Sequence, residues 1–253
     1  DFLIKLDTEV ISCFQQEARK IVFVKSMSPN LMILMLLLHF QKCYVPDQTL
    51  ISFSSVLLFG LPGNGKSLLV HNLAEELGFD IVTVSSADIL NQFVGGSEEK
   101  LRNIFENAFK SDKKIILFFD EIDLLFRSRE QKMESVDEKL LQIFMHQMDR
   151  VQNQTEIKVY VMSGTNKPKS LDKAVARRYD YKIFIKGPSE NDRQNLIKQL
   201  LMPWKLPNEE LKQLAKKCDG SSCKEIEQTI RDVIRKSFMN DLKSKYFKKV
   251  FDK

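Results

Sequence analysis

The stretch of sequence that decides the fold is Gly60-Leu61-Pro62-Gly63-Asn64-Gly65-Lys66-Ser67, which matches the pattern G-x-x-x-x-G-K-[ST]. It follows the short apolar run Val56-Leu57-Leu58-Phe59 and precedes a segment with helical spacing, 67–77, that Gly78 closes. Glycine permits the tight turn that points successive N–H groups at one anion, and the dipole of the following helix adds to the attraction. The segment therefore predicts a cradle for the phosphates of ATP or GTP, between a buried strand and a helix.

The side chains of this cradle have expected roles of their own. The ammonium group of Lys66 is expected to reach the β- and γ-phosphates, and the hydroxyl group of Ser67 to bind Mg²⁺. The residues expected to contact the nucleotide are Pro62, Gly63, Asn64, Gly65, Lys66, Ser67 and Leu68. A glycine-rich turn that matches the pattern by chance is the alternative, but it would not need a strand before it and a helix after it.

A second apolar run ends in acids: Ile115-Ile116-Leu117-Phe118-Phe119-Asp120-Glu121-Ile122-Asp123. A continuous apolar run predicts a strand buried on both faces, and acids at its end lie at the carboxyl edge of the sheet, where ligands of α/β folds bind. We expect Asp120 to hold Mg²⁺ through water and Glu121 to be the general base that polarises the attacking water. A solvated loop would explain the acidity, but not a pair of acids beside a phosphate loop.

Strands and helices alternate along the rest of the first three quarters of the chain. The further strands are predicted at 80–84, 158–163 and 183–185, and the further helices at 98–109 and 137–148. This alternation, with short loops between the elements, predicts a parallel sheet covered by helices on both faces, the αβα sandwich of a P-loop NTPase.

After Gly187-Pro188 the sequence predicts only helices, at about 191–201, 208–217 and 223–239. We therefore expect a large nucleotide-binding α/β domain at 1–186 and a small helical lid at 187–253. The first 50 residues are the hardest part of the chain to place.

Composition excludes several classes of protein. Of the 253 residues 43% are hydrophobic and 29% charged, which excludes a wholly disordered or collagen-like chain. The net charge of +5 arises from 39 basic and 34 acidic residues, so the surface is mixed and nucleic acid is an unlikely partner on this ground. The cysteines form no CxxC pair, which is typical of reduced thiols in an intracellular protein. The apolar run 31–38 is too short to span a bilayer, so no transmembrane segment is expected.

Taken together, the cradle, the acidic strand end and the segments that follow resemble an AAA ATPase domain over about 56–232. They are most similar to the meiotic group of that family, which includes katanin, spastin, fidgetin and the vacuolar protein sorting ATPase that disassembles ESCRT polymers. Val161-Met162-Ser163-Gly164-Thr165-Asn166 ends the fourth strand, and its Asn166 resembles the family's sensor 1. The resemblance implies that this amide hydrogen-bonds the attacking water or the γ-phosphate.

The segment after sensor 1 resembles the family pattern NxPxxLDxAxxRRF; it reads Lys167-Pro168-Lys169-Ser170-Leu171-Asp172-Lys173-Ala174-Val175-Ala176-Arg177-Arg178-Tyr179. Its paired Arg177 and Arg178 resemble arginine fingers, which reach the ATP of a neighbouring subunit. Such a finger stabilises the charge that develops on the transferred phosphoryl group. Two adjacent arginines outside such a motif would simply be a solvated basic patch.

A third segment, Asn91-Gln92-Phe93-Val94-Gly95-Gly96-Ser97-Glu98, is similar to the family's pore loop. The resemblance implies that Phe93 and Val94 line the central channel of a ring and grip an extended polypeptide. The family usually has a basic residue before the aromatic and a Glu after the glycine, where this chain has Gln92 and Gly96. The family's lid motif GxSGSDI reads Gly220-Ser221-Ser222-Cys223-Lys224-Glu225-Ile226.

The resemblance implies an ATP-hydrolysing, Mg²⁺-dependent motor that assembles into a homo-oligomeric ring, expected to be a hexamer. Such a motor would pull on or disassemble protein polymers or complexes, for example ESCRT filaments or microtubules. The implied location is cytoplasmic, with attachment to a membrane or the cytoskeleton through other regions. A catalytically weak, ATP-binding scaffold subunit of a mixed ring is the alternative, and the departures from the family pattern favour it. A DNA-handling loader is a further alternative, supported only by the lysines of 243–249.

Overall fold

The computed structural model describes residues 53–90, 96–127, 135–201 and 207–235, apart from the side chains of residues 135–137. Among these residues five strands form one parallel sheet in the order β2-β3-β4-β1-β5. The strands are β1 (Ser55–Phe59), β2 (Asp80–Ser85), β3 (Ile115–Asp120), β4 (Val159–Thr165) and β5 (Tyr181–Phe184). The predicted α/β P-loop fold is confirmed, and the strands begin and end within two residues of the predicted bounds.

Helices join these strands and follow the last of them. They are α1 (Lys66–Leu77), α2 (Ser86–Leu90), α3 (Gly96–Phe109), α4 (Ser135–Gln152), α5 (Lys173–Arg177), α6 (Glu190–Leu200), α7 (Asn208–Lys217) and α8, which is helical over 223–235 within the described residues. The sequence did not predict α2, α5 or the 3-10 turn Ile122–Leu124. Each is at most five residues long, so a hydrophobic period has no room to repeat.

The sheet separates two cores, as the alternation of side chains along a strand requires. On one face Phe105, Phe119 and Phe144 pack together, and the ring centroids of Phe119 and Phe144 are 5.4 Å apart. On the other face Phe118 and Tyr160 pack with α1. Because neighbouring residues of β3 enter opposite cores, this strand is apolar at every position from Ile115 to Phe119, as the sequence indicated.

The helices after residue 187 have a core of their own, made by Ile197, Leu211, Ala215, Ile226 and Ile230. Arg193 connects this unit to the end of the sheet. Its buried guanidinium group donates to the carbonyl oxygen atoms of Ala215 at 2.9 Å and Pro188 at 3.0 Å, and it pairs with Asp219 at 2.8 Å. The cation thus stabilises the junction at Pro188.

Several predictions concern residues outside the described ranges. These are the first 50 residues with the apolar run 31–38, the predicted pore residues Phe93 and Val94, and the basic stretch 243–249. Within the described part of the chain, no helix is both long enough and apolar enough to cross a membrane.

Candidate nucleotide-binding and hydrolysis site

The loop between β1 and α1 is shaped by glycines at two close approaches. Gly60 has a φ of +154°, and a Cβ atom there would lie 2.3 Å from the carbonyl oxygen of Ile185. Gly63 has a φ of +77°, and a Cβ atom there would lie 2.9 Å from the Cβ atom of Lys224 on α8. No L side chain fits either position without displacing its neighbour. The loop is therefore held tightly between β5 on one side and the first turn of α8 on the other.

Lys66 begins α1 and turns its side chain back over this loop. Its buried ammonium group donates to the carbonyl oxygen atoms of Gly60 and Leu61, both at 2.9 Å. Burial lowers the pKa of Lys66, and the carboxylates of Asp120, Asp123 and Glu121 oppose that shift. The predicted phosphate ligand thus lies at the cradle, where its charge faces the acids at the end of β3.

Ser67 and Asp120 lie together at the start of α1 and the end of β3. The hydroxyl group of Ser67 donates to Oδ2 of Asp120 at 2.7 Å. Mg²⁺ binds through oxygen ligands, commonly one or two carboxylates together with phosphate oxygens and water. A hydroxyl and a carboxylate beside a phosphate cradle fit that chemistry, so these two residues could hold the metal ion.

Glu121 follows Asp120 in a strained conformation. Its φ is +51° and its ψ +47°, the left-handed region that costs a non-glycine residue about 1–2 kcal/mol. The turn leaves the carboxylate exposed, and Oε1 lies 3.5 Å from Nδ2 of Asn166 at the end of β4. The predicted general base and the predicted sensor therefore lie side by side at the carboxyl edge of the sheet.

Two amide oxygen atoms at this edge are buried without a hydrogen-bond partner among the described residues, Oδ1 of Asn64 and Oδ1 of Asn166. Buried polar atoms are normally satisfied, so each such exception needs an explanation. One amide lies in the phosphate cradle and the other beside the predicted base, where water molecules bound with the nucleotide, among them the attacking water, would supply the missing donors. This pattern fits a site that is completed by a ligand.

Sequence reasoning missed two residues that hold the carboxyl edge of the sheet together, Asp123 and Thr165. Asp123 is buried, and its Oδ1 accepts a hydrogen bond of 2.6 Å from the hydroxyl group of Thr165, next to Asn166. Thr165 in turn accepts from the backbone N–H of Lys167 at 3.0 Å. The bond between Asp123 and Thr165 joins the acidic turn after β3 to the end of β4. The sequence did contain a signal, because Asp123 is the third acid after the apolar run of β3, and only Asp120 and Glu121 were assigned roles.

The tandem arginines lie at the opposite edge of the sheet. The hydroxyl group of Ser55, the first residue of β1, donates to the carbonyl oxygen of Arg178 at 3.3 Å. The cradle begins at Gly60, just after the other end of β1, and a strand rises about 3.3 Å per residue. About 16 Å therefore separates the two positions along the strand. An arginine side chain does not cover that distance, so neither arginine reaches the cradle of its own chain.

The helices after residue 187, the predicted lid, contact the cradle directly through the first turn of α8. The backbone N–H of Lys224 donates to the carbonyl oxygen of Gly63 at 3.1 Å. Ser222 and Glu225 fix this turn, since the carboxylate of Glu225 accepts from the N–H of Ser222 at 2.7 Å while the N–H of Glu225 donates to the hydroxyl of Ser222 at 3.3 Å. The hydrogen bonds that this carboxylate accepts from the N–H and the hydroxyl group of Ser222 lower the pKa of Glu225. The lid motif that departs from the family pattern at Cys223 and Lys224 still begins a capped helix.

The remaining predicted site residues divide between the described and the undescribed parts of the chain. Pro62 and Leu68 are exposed beside the cradle, and Gly65 precedes α1 with a φ of +81°. Phe93 and Val94 fall within residues 91–95, outside the described ranges. The residues that flank this gap are tied together, because the hydroxyl group of Ser97 donates to the carbonyl oxygen of Ile89 at 2.7 Å.

Comparison with known proteins agrees with this geometry. Residues 56–187 match the ATPase family associated with various cellular activities (AAA). The chain is 35% identical to spastin of Sus scrofa over 179 residues, which is 70% of this chain and 29% of that protein. It is 36% identical to spastin of Danio rerio and 35% identical to that of Homo sapiens over the same length, which covers 31% and 29% of those proteins. The chain thus spans about three tenths of the length of these relatives.

The P-loop fold, the acidic strand end and the family match define the class of protein: the chain belongs to the AAA family of ATPases. Its similarity to the spastins places it in the meiotic group of that family.

Proposed function

We propose that this chain is the ATP-hydrolysing part of a ring-forming motor that remodels protein assemblies. The observation that supports it best is the separation of the site into two halves. The cradle, Asp120, Glu121 and Asn166 lie at the carboxyl edge of the sheet, whereas Arg177 is exposed at the other edge without an ion pair among the described residues. A second copy of the chain would bring the two halves together.

In this proposal the residues of one protomer bind and orient the nucleotide. The loop amides and Lys66 hold the phosphates, and Ser67 and Asp120 hold Mg²⁺, which neutralises charge on the phosphate oxygens when bound. Glu121 accepts the proton of the attacking water, and Asn166 orients that water beside it. Lys66 must leave the carbonyl oxygen atoms of Gly60 and Leu61 to reach a phosphate, so binding exchanges two neutral acceptors for an anionic one.

The second protomer contributes the arginine. A guanidinium group at the γ-phosphate stabilises the charge that develops in the transition state, an effect of about 10³–10⁵ in rate in related enzymes. Because each copy carries a cradle at one edge and an arginine at the other, copies associate head to tail, and such contacts close into rings. We propose a hexamer of identical subunits that forms with ATP.

Oligomerisation is tested by size-exclusion chromatography with light scattering on the Glu121→Gln variant, which retains bound ATP. Addition of MgATP should shift this variant from the monomer mass to a ring mass. Lys66→Ala, in which ATP does not bind, is the control and should stay at the monomer mass. A Glu121→Gln protein that binds ATP but remains a monomer would contradict ring assembly.

We extend the proposal to mechanical work through the division of the chain at residue 187. The large domain of 1–186 and the lid of 187–253 meet at the cradle, where Lys224 contacts Gly63, so a change of nucleotide would move the lid. Phe93 and Val94 would then shift along a threaded polypeptide. The resemblance to the meiotic group favours ESCRT filaments or microtubules as substrates and a cytoplasmic location, with attachment through regions outside this chain.

Steady-state phosphate release separates this motor from the scaffold subunit that is the alternative. The motor requires turnover that rises with protein concentration, because active sites form only between protomers. An ATP-stabilised protein with no turnover at any concentration would favour the scaffold.

A further inference from the structure

The two adjacent arginines differ in what holds them. The guanidinium group of Arg178 pairs with Asp149 on α4, with Nη1 at 2.9 Å from Oδ1. Arg177 is exposed, and among the described residues its guanidinium group has no hydrogen bond or ion pair. The two adjacent arginines are therefore not equivalent. The guanidinium group of Arg178 is bound by Asp149, whereas that of Arg177 has no partner in the part of the chain that the structure describes.

The backbone of Arg178 is held as firmly as its side chain. Its carbonyl oxygen accepts a hydrogen bond of 2.5 Å from the side-chain amide of Gln152, one turn along α4 from Asp149, and a second from the hydroxyl of Ser55. The same amide of Gln152 donates to Oδ1 of Asp180 at 3.1 Å. One face of α4 thus holds both ends of this residue.

The residues on either side of the pair are fixed as well. Asp172 caps α5 by accepting from the N–H of Ala174 at 2.7 Å, and Tyr179 is buried, with its hydroxyl group 2.6 Å from that of Ser163. The segment therefore has anchors before and after the arginines and a third at Arg178. Arg177 is the only member of the tandem that is not anchored within the described residues.

We infer that Asp149 and Gln152 are positioning residues that hold Arg178 against α4, so that Arg177 alone is the cation presented to the γ-phosphate of the neighbouring protomer. This inference rests on the proposed function and changes one part of it, since the sequence predicted both arginines as fingers. Arg178 acts through the position that it gives to Arg177. Because the Arg178–Asp149 pair is half exposed, its loss should change geometry more than stability.

A double-mutant cycle on ATP turnover tests this assignment. Arg178→Ala, Asp149→Ala and the double variant should each lower kcat by about 10- to 100-fold, the effect of a displaced catalytic group, and the double variant should be no worse than the single ones. Arg177→Ala should lower kcat by about 10³-fold or more. KM for ATP and the melting temperature should change little, and Asp149→Glu should recover most of the activity.

The matched control is Glu106→Ala. Glu106 on α3 pairs with Arg150, which lies on α4 next to Asp149. The side chains of Arg150 and Glu106 are 38% and 43% exposed, close to the 37% and 41% of Arg178 and Asp149. Loss of this pair should leave kcat unchanged. If Arg178→Ala is as damaging as Arg177→Ala while Asp149→Ala turns over like wild type, Arg178 is a second finger and the inference is wrong.

A measurement independent of turnover separates failure of this inference from failure of the proposed function. A dicarbonyl reagent that modifies free guanidinium groups, followed by peptide mass spectrometry, should label Arg177 faster than Arg178 in the free protein. Asp149→Ala should remove that difference, and Glu106→Ala should not. Equal labelling of both arginines in the wild-type protein would overturn the inference, whether or not the chain hydrolyses ATP.

Discussion

The two edges of the sheet differ in whether their charged groups have partners within the chain. At the carboxyl edge the charged groups face one another within a single chain: Lys66 lies among acids, Ser67 bonds to Asp120, and Glu121 lies beside Asn166. At the amino edge Arg177 has no partner among the described residues, although the backbone around it is anchored by Asp172, Tyr179 and Asp180. Both edges are held by hydrogen bonds, but within the described residues Arg177 has no counter-charge, whereas Lys66 faces several acids.

This difference indicates where the missing partner lies. Because the backbone on either side of Arg177 is already fixed, binding of an external anion would need to order only the arginine side chain. The orphaned amide oxygen atoms of Asn64 and Asn166 show the same incompleteness at the other edge. The nucleotide completes the first edge, and we propose that the second edge of a neighbouring copy completes the nucleotide site.

The comparison is tested most strongly by Arg177→Ala. We expect ATP turnover to fall by about 10³–10⁵-fold, because charge on the transferred phosphoryl group loses its counter-ion. The free energy of unfolding should stay within about 0.5 kcal/mol of wild type, since the exposed side chain has no partner among the described residues. Steady-state kinetics and thermal denaturation of the same preparation measure both quantities. A variant that unfolds more easily would indicate a structural role instead.

Glu121→Gln tests the other edge. The amide cannot accept the proton of the attacking water, so turnover should fall by about 10²–10⁴-fold while ATP still binds. Fluorescent-nucleotide titration and phosphate release separate the two steps. The strained backbone at this position is retained in the variant, which makes it a better control for shape than Glu121→Gly. If ATP affinity is lost together with turnover, Glu121 supports the cradle and is not the base.

Gly60→Ala should damage the first edge through packing. A Cβ atom would lie 2.3 Å from the carbonyl oxygen of Ile185 at a φ of +154°, so either the loop or β5 must move. We expect a loss of about 3 kcal/mol in stability, the upper range for overpacking, together with weaker ATP binding. Gly78→Ala is the control for a positive φ without a clash, because its Cβ atom would meet nothing within 4 Å at a φ of +65°. Equal losses in the two variants would show that backbone strain alone is responsible.

Asp180→Ala should have the smallest effect and should loosen the second edge. The Oδ2 atom of Asp180 accepts from the N–H groups of Ser54 at 2.9 Å and Ser55 at 3.0 Å, and it joins β5 to the start of β1. Loss of these charge-assisted bonds should reduce stability by about 1–3 kcal/mol. Urea denaturation checks the value, and turnover should fall less than in Arg177→Ala. Unchanged stability would mean that water replaces the carboxylate.

Some parts of this architecture follow from local sequence and others do not. The strand β3 and the cradle were predictable, because an unbroken apolar run and a glycine pattern act over neighbouring residues. The contacts of Asp123 with Thr165 and of Asp180 with Ser55 join residues 42 and 125 positions apart, and no local pattern marks them. The family resemblance implied the same role for Arg177 and Arg178, because the difference between them is made by Asp149 on another helix. Local sequence motifs indicate which residues belong to the site, whereas contacts between distant residues determine which of their side chains are left without a partner.

The most direct test of the central claim is complementation between two inactive variants. Lys66→Ala cannot bind ATP but still presents Arg177, whereas Arg177→Ala binds ATP but lacks the arginine, so each alone should be inactive. A mixture of the two should hydrolyse ATP well above the sum of the separate activities, because one protomer completes the site of the other. A mixture that assembles, as shown by energy transfer between labelled subunits, yet hydrolyses no more than the separate variants would contradict a site shared between copies.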